Sequence, residues 1–514
     1  MPGPAQPVCA PQVLLEDRPA EFSSPPGRLA QVHKDGRSAF TRHVLLFTLA
    51  NLFALVGNGV LTFLIPKLLS MESYGYYRLF VLYGSFAGVL HLGLLDGALI
   101  RWAARPHARM KAELFPSLAF LLLQHVLFLV PATAVLTVLY RDQPSWLLLA
   151  ACMAAYALIS NIAILGQFAL QAEKSFGWLS ALTVINPAIL LGFVLAARNW
   201  KHLTLQMLFA AYLGSWLVVA LAHWVALLTK YPRNVRGVRQ IWRVGKHNVA
   251  VGWSVLLALL LTNIVLSLDR LVVSFSFGIR DFAIYSFAAT ALAVVNTIIL
   301  SVSRVVFPYL SDAGRAQMRI RAYSQGEAAL MALWAVGLSS YFPMRALITR
   351  LLPAYLPSLP ILRLLMLATG MTATIYILHA NYFRSAYLQG KLMLGVTIGL
   401  LASGLFIAIA RSSNELLRIS WAMIAGIAVW WLADEWLLRS LLGRSVLQIA
   451  KTLFFVIACG ASLLLSSYVQ NLWLATLLYL ASAMLFTGFV YWRSLTSLPF
   501  FQGWSLTVPD LRFR

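Results

Sequence analysis

Of 514 residues, 60% are hydrophobic and 11% charged, where a water-soluble domain carries about a quarter charged residues. No single soluble core could hide so much apolar surface, so lipid is the solvent for most of the chain. The net charge of +23 would suit nucleic acid only if the basic residues shared one solvated face. They fall instead in short clusters between long apolar runs, which excludes a nucleic-acid partner. Cys9, Cys152 and Cys459 are the only cysteines, the last two inside apolar runs. Neither a disulfide framework nor a metal site is expected, and no cofactor.

Residues 1–42 are polar and Pro-rich and lack the basic-then-apolar order of a cleavable signal. They read as a disordered cytoplasmic tail. Fourteen apolar runs follow, each close to the roughly 20 residues that cross a hydrocarbon core. The first six are Val44–Ile65, Tyr77–Leu99, Leu114–Tyr140, Trp146–Phe168, Trp178–Ala197 and Leu205–Leu228. The next four are Val249–Phe275, Ala283–Val306, Ala328–Ile348 and Ile361–Phe383. Leu392–Ala410, Ile419–Leu438, Val446–Tyr468 and Leu472–Tyr491 complete the set. With the termini on one side, 27 of the 40 Lys and Arg fall in loops on that side and 12 on the other, Arg304 lying inside a span. Basic residues stay in the cytoplasm, so both termini are expected there, in a bacterial inner membrane.

The longest internal basic stretch, 231–246, divides the spans. An all-α organisation follows: a six-helix bundle over 43–230, a linker over 231–246, and a second six-helix bundle over 247–440. Two additional helices fill 441–493, and a tail covers 494–514. Paired bundles around a central cavity are a common transporter plan.

No HExxH, P-loop, GxSxG or Cys/His metal spacing occurs, so no catalytic residue is assigned and no enzyme is expected. Ionisable groups inside a membrane usually face a bundle interior or a wet cavity. Near span ends they snorkel to the headgroups, the reading preferred for Arg101, Arg280, Arg384 and Arg439. Arg78, Arg270 and Arg304 sit deeper or at a rim. Asn296 precedes Arg304 by eight residues and shares its helical face. Asp269 adjoins Arg270, and Asp96 stands ready to pair with Arg101 or bind a coupling cation. Asn51 and Asn58 recur seven apart on the first span. With Asn161, Asn186, Asn263 and Asn381 they either tie helices together or line a hydrated cavity. Asn186-Pro187 is expected to break its span.

Two stretches resemble a known family. One runs from Pro66-Lys67 through Tyr74-Gly75-Tyr76-Tyr77 to Gly93-Leu94-Leu95-Asp96-Gly97-Ala98-Leu99-Ile100-Arg101. The other joins Asp269-Arg270, Tyr285-Ser286 and Ser303-Arg304 with Phe307-Pro308-Tyr309-Leu310-Ser311. Their order and spacing are similar to those of polysaccharide repeat-unit flippases, a branch of the multidrug/oligosaccharidyl-lipid/polysaccharide (MOP) exporter superfamily. The resemblance implies a V-shaped pair of six-helix bundles with alternating access. It implies movement of undecaprenyl-pyrophosphate-linked oligosaccharide to the periplasmic leaflet for exopolysaccharide, capsule or O-antigen synthesis. A monomer among membrane lipids, serving a polysaccharide polymerase and a chain-length regulator, goes with that function. Arginine suits a pyrophosphate best, so Arg78, Arg270 and Arg304 are expected to hold the head group. Asp96 and Asp269 become coupling or ion-pair candidates, and Asn51, Asn58 and Asn296 line the cavity. The alternatives are an ion-coupled drug or metabolite antiporter of the same superfamily and a membrane polysaccharide polymerase or ligase. The second would need a longer outer loop than 350–360.

Overall fold

The computed structural model describes residues 49–104, 106–199, 203–292, 299, 303 and 316–496, and no strand occurs among them. Twelve helices are long and apolar enough to cross a membrane, and the pair Met71–His91 and Leu94–Ala103, bent by 62°, makes a thirteenth. The fourteenth expected span, Ala283–Val306, is helical over 279–292, and most of its remainder lies outside the described residues. The chain is therefore a multi-pass helical membrane protein, as the apolar runs require.

The first bundle comprises α1 (Leu49–Leu68), the bent span α2 (Met71–Gly84) with α3 (Leu94–Ala104), α4 (Pro106–Leu139), α5 (Pro144–Ala172), α6 (Phe176–Asn199) and α7 (Leu205–Leu228). The second begins with α8 (Val238–Ser276) and α9 (279–292). It continues through the broken span α10 (Ala316–Leu338) with α11 (Tyr341–Leu351), then α12 (Ser358–Ala373), a π-turn (Thr374–His379) and α13 (Ala380–Ser385). α14 (Gln389–Arg411) and α15 (Leu416–Leu442) close it, and α16 (Val446–Ser466) and α17 (Leu472–Thr496) pack on its flank. Polar signals set the ends. Ser70 caps α2 by accepting from Ser73 N at 3.1 Å, and Ser445 with Gln448 forms a capping box on α16. Val138 and Phe489 are 73% and 81% exposed, on the apolar perimeter that lipid covers.

The linker expected over 231–246 is only half a loop. Residues from Val238 onward are the first turns of α8, because their apolar side chains recur at helical spacing and no proline follows Pro232. α8 is seated deeply on the first bundle. Gly93 and Gly97 of the bent span meet its backbone directly: a Cβ at Gly97 would lie 1.9 Å from Asn248 O, and one at Gly93 2.6 Å from Gly252 C. The bend itself is a 3-10 turn, Ala87–His91, ended by Leu92 and Gly93 at φ 50° and 83°. Gly93 thus serves both a left-handed backbone and a close approach. Gly97→Val is expected to lower the unfolding midpoint, since overpacking costs about 1–3 kcal/mol even where neighbours can shift, and here the neighbour is backbone. Thermal unfolding of the purified protein checks it.

Pro187 does not break its span. α6 is helical on both sides of it, so the proline only removes the donor that Thr183 O would receive. Asn296 and Arg304 lie outside the described residues.

At the end of the molecule opposite Leu49, the two bundles are clamped. Tyr74 meets Tyr355 and Phe287 with ring centres 5.5 and 6.4 Å apart, and Phe287 meets Tyr355 at 4.9 Å. Gly75 lies against Ile279, where a Cβ would come within 2.6 Å of the carbonyl oxygen.

Candidate functional site

Below the clamp lies a cavity of about 480 Å³. α1 contributes Asn51, Asn58 and Thr62, seven and four residues apart and therefore on one face. α2 contributes Tyr74, Tyr77 and Arg78; α6 adds Asn186, α7 adds Tyr212 and Trp216, and α9 adds Thr290. Asn51 and Asn58 are exposed while Leu61, Ile65 and Tyr74 are buried. The cavity thus opens toward the first residues of α1 and ends blind at the clamp.

Its wall is aromatic. Tyr212 lies edge-on to Tyr77 at 6.4 Å and to Phe80 at 5.2 Å, and Tyr156 backs Trp216 at 5.7 Å. Among the described residues, Arg78 is the one charged member of the lining. Its guanidinium carbon stands 5.9 Å from the Tyr77 ring centre, and its Nε is buried without a hydrogen-bond partner among the described residues. The Asn186 side-chain nitrogen is likewise buried and unpartnered. Unsatisfied donors in a low-dielectric site cost free energy unless a ligand supplies acceptors.

Arg270 lies outside this cavity, in an adjoining pocket of about 70 Å³ with Asp269. Its Nη2 donates to Leu266 O and Ser267 Oγ, both at 3.0 Å. Its Nε is 3.9 Å from Asp269 Oδ1. Asp269 also accepts from the Arg270 backbone at 2.7 Å and from the Tyr285 hydroxyl at 2.9 Å. Arg78 and Arg270 are nevertheless within electrostatic range of each other. Asp96 sits apart, half-buried in the first turn of α3. Arg101 is taken instead by Glu113 at 2.5 Å and by Asn248, so the anticipated Asp96–Arg101 pair does not form.

The asparagines divide in two. Asn161 donates to Ala87 O and bonds His125 Nε2, both at 3.0 Å. Asn263 donates to Ser85 O at 3.1 Å, and Asn381 to Ser303 O at 2.9 Å. These three tie spans together, whereas Asn51, Asn58 and Asn186 line the cavity. Asn161→Ala is expected to cost about 0.6–1.7 kcal/mol of stability, the range for interhelical hydrogen bonds in bilayers. Asn58→Ala should leave stability unchanged, and unfolding in graded denaturing detergent compares the two.

Sequence reasoning missed the aromatic wall, because Tyr77, Tyr212 and Trp216 resemble interfacial residues until their partners are known. It also missed five ionisable residues, Glu327, His379, Asp434, Glu435 and Arg444, that meet in one buried cluster. The adjacent acids Asp434-Glu435 inside an apolar run were the available signal.

Comparison finds no matching family model and no matching curated protein. Among solved structures, the chain is similar to a lipid II flippase, MurJ, in an inward closed conformation. The TM-score is 0.63 at 10% identity, covering 87% of this chain and 99% of that one. It is also similar to an inward-facing multidrug resistance MATE family transporter of the MOP superfamily, with TM-score 0.60 at 15% identity, covering 77% and 96%. The chain shares its fold with these two transporters, the second of them from the superfamily that the sequence motifs resemble.

Proposed function

We propose that the protein translocates an anionic, sugar-bearing lipid, an undecaprenyl-pyrophosphate-linked oligosaccharide, from the cytoplasmic to the periplasmic leaflet of a bacterial inner membrane. The carrying observation is Arg78, unpaired among the described residues, in a cavity whose described lining holds no acid. Arg270 reinforces it. Two guanidinium groups in range of each other, with Asp269 the one carboxylate beside them, leave positive charge that an anion would neutralise.

Each lining group has a partner in such a cargo. The Arg78 fork matches phosphate oxygens, the asparagine amides match sugar hydroxyls, and Tyr77, Tyr212 and Trp216 offer faces to sugar rings. The polyprenyl tail would remain in the bilayer. A cationic drug would also find the aromatic wall attractive, but Arg78 repels it. Arg304 and Asn296 stay candidates for the remaining wall, and Asp96 for a coupling role. The 27-to-12 division of basic residues supports cytoplasmic termini.

Purified full-length protein in liposomes tests the reading. A tagged undecaprenyl-pyrophosphate oligosaccharide should become accessible to an impermeant quencher only with protein present, while an organic cation dye is not moved. Dye movement without lipid movement would replace the flippase with an antiporter.

A further inference from the structure

The second bundle encloses a cluster of ionisable side chains that do not belong to the lining of the cavity described above. His379, Asp434 and Glu435 have no exposed surface, and Glu327 and Arg444 are at least nine-tenths buried. Arg444, in the turn between α15 and α16, donates to Glu327 Oε2 at 2.9 Å and to Glu435 Oε2 at 2.8 Å. Thr452 of α16 donates to Glu327 Oε1 at 3.0 Å, and Tyr491 of α17 donates to Thr452 at 3.2 Å. Tyr323 of α10 donates to Glu435 Oε1 at 2.7 Å. Its hydroxyl is also 3.0 Å from His379 Nε2, which is 3.1 Å from Glu435 Oε1. His379 Nδ1 faces Asp434 Oδ2 at 3.5 Å.

Charge counting makes this cluster unusual. Burial alone would lower the proton affinity of Arg444, but Tyr323, Glu327 and Glu435 outweigh it and keep the guanidinium charged. Three carboxylates then oppose one fixed positive charge. Among the described residues no other charged side chain pairs with these acids; Lys391 of α14 and Arg439 line the pocket outside Arg444, where Arg439 Nε donates to Arg444 O at 3.2 Å. Tyr323 stacks on His379 with ring centres 6.3 Å apart, and Tyr382 lies edge-on to Tyr323 at 5.1 Å. Uncompensated charge deep in a bundle is costly. Neutrality therefore requires two protons among His379 and the three acids. The geometry indicates where they reside. Glu327 and Glu435 are saturated by Arg444, Thr452 and Tyr323. Both nitrogens of His379 face carboxylate oxygens, which suits a doubly protonated ring. The Asp434 carboxylate faces His379 Nδ1 at 3.5 Å, makes no closer hydrogen bond among the described residues, and packs with Oδ1 against Gly395 of α14.

We propose that His379 and Asp434 form a proton-binding site within the second bundle, reached through Glu435 from the pocket that Arg444 lines. Arg444 lines a pocket of about 630 Å³ with Lys391, Arg439 and Gly443, and Glu435 links it to the His379 ring. His379 ends the π-turn Thr374–His379, a helix irregularity common at functional sites. Ser303 packs on this region: its Oγ donates to Tyr376 O of the turn at 2.6 Å, and Asn381 of α13 donates to Ser303 O. Proton occupancy at His379 thus bears on the contact between this turn and Ser303. This inference is independent of which cargo the cavity takes.

Infrared difference spectra of the purified full-length protein in nanodiscs, taken between about pH 5 and about pH 9, test it. A buried protonated-carboxyl band should titrate in the wild type, vanish in Asp434→Asn and persist in Glu415→Gln, an exposed control. No titrating band, or one unchanged in Asp434→Asn, overturns the site. If Asp434→Asn fails to fold, His379→Gln decides by the same band. A midpoint moved by more than about one pH unit supports the pair, and an unmoved midpoint overturns it.

Discussion

Arg78→Ala is expected to weaken binding of undecaprenyl pyrophosphate about 10- to 100-fold, with the amount of folded protein in the membrane unchanged. The size follows from hydrogen bonds to a charged partner, worth about 1.5–3 kcal/mol net, at 1.4 kcal/mol per decade. Stability should not fall, because Arg78 has no ion pair or hydrogen bond to lose among the described residues. Removing its repulsion toward Arg270 even favours the empty protein. Arg78→Lys restores charge without the planar fork and should recover part of the affinity. Arg270→Ala behaves differently. It strips Asp269, 6% exposed at its side chain, of its nearby cation, so unfolding at lower temperature is expected along with any transport defect. Fluorescence quenching of the tagged lipid in liposomes, alongside thermal unfolding, separates the two. Unaltered binding by Arg78→Ala would sink the anionic-cargo reading while leaving the fold assignment untouched.

The spans were legible because a bilayer imposes one length and one composition on anything that crosses it, and the charge division follows from the same constraint. Less legible was how each span runs. The bend at Leu92-Gly93 depends on a leucine at positive φ, which no side-chain pattern announces. Pro187 looked like a break, yet a packed bundle tolerates one missing hydrogen bond. Asparagines in apolar runs look alike whether they bind Ala87 O, as Asn161 does, or face a cavity, as Asn186 does, because the partner lies far away in the chain. Arg78 was identified and lines the cavity; Arg270 was identified with it but is held by Ser267 and Asp269 next door. Glu327 was overlooked because it follows a basic loop and reads as solvated. Only the fold brings Arg444, 117 residues later, against it.

A second large effect is expected at Gly75. Even alanine there would set its Cβ 2.6 Å from the Ile279 carbonyl oxygen and 2.8 Å from the Ile279 side chain. The backbone oxygen is fixed in α9, so α2 must move away, and Tyr74 leaves its seat on Phe287 and Tyr355. Two ring contacts at about 0.5–1.5 kcal/mol each, beyond their buried area, are lost or weakened. An equilibrium between clamped and open forms then shifts by roughly one to two decades. Spin labels at Lys67 and Arg280, both exposed and on either side of the clamp, report it. Gly75→Ala should lengthen their distance and Gly75→Val more so, while Gly59→Ala, with open space around its position, should not. Transport should fall in the same order if the cavity must be closed at this end while cargo enters at the other. Unchanged distances in Gly75→Val would mean that the contact is passive packing, and alternating closure would have to be sought elsewhere between the bundles. Lengthened distances would identify the contact of one glycine with one carbonyl as a gate between the bundles. Close approach without interlocking side chains gives a tight seal that separates without unthreading.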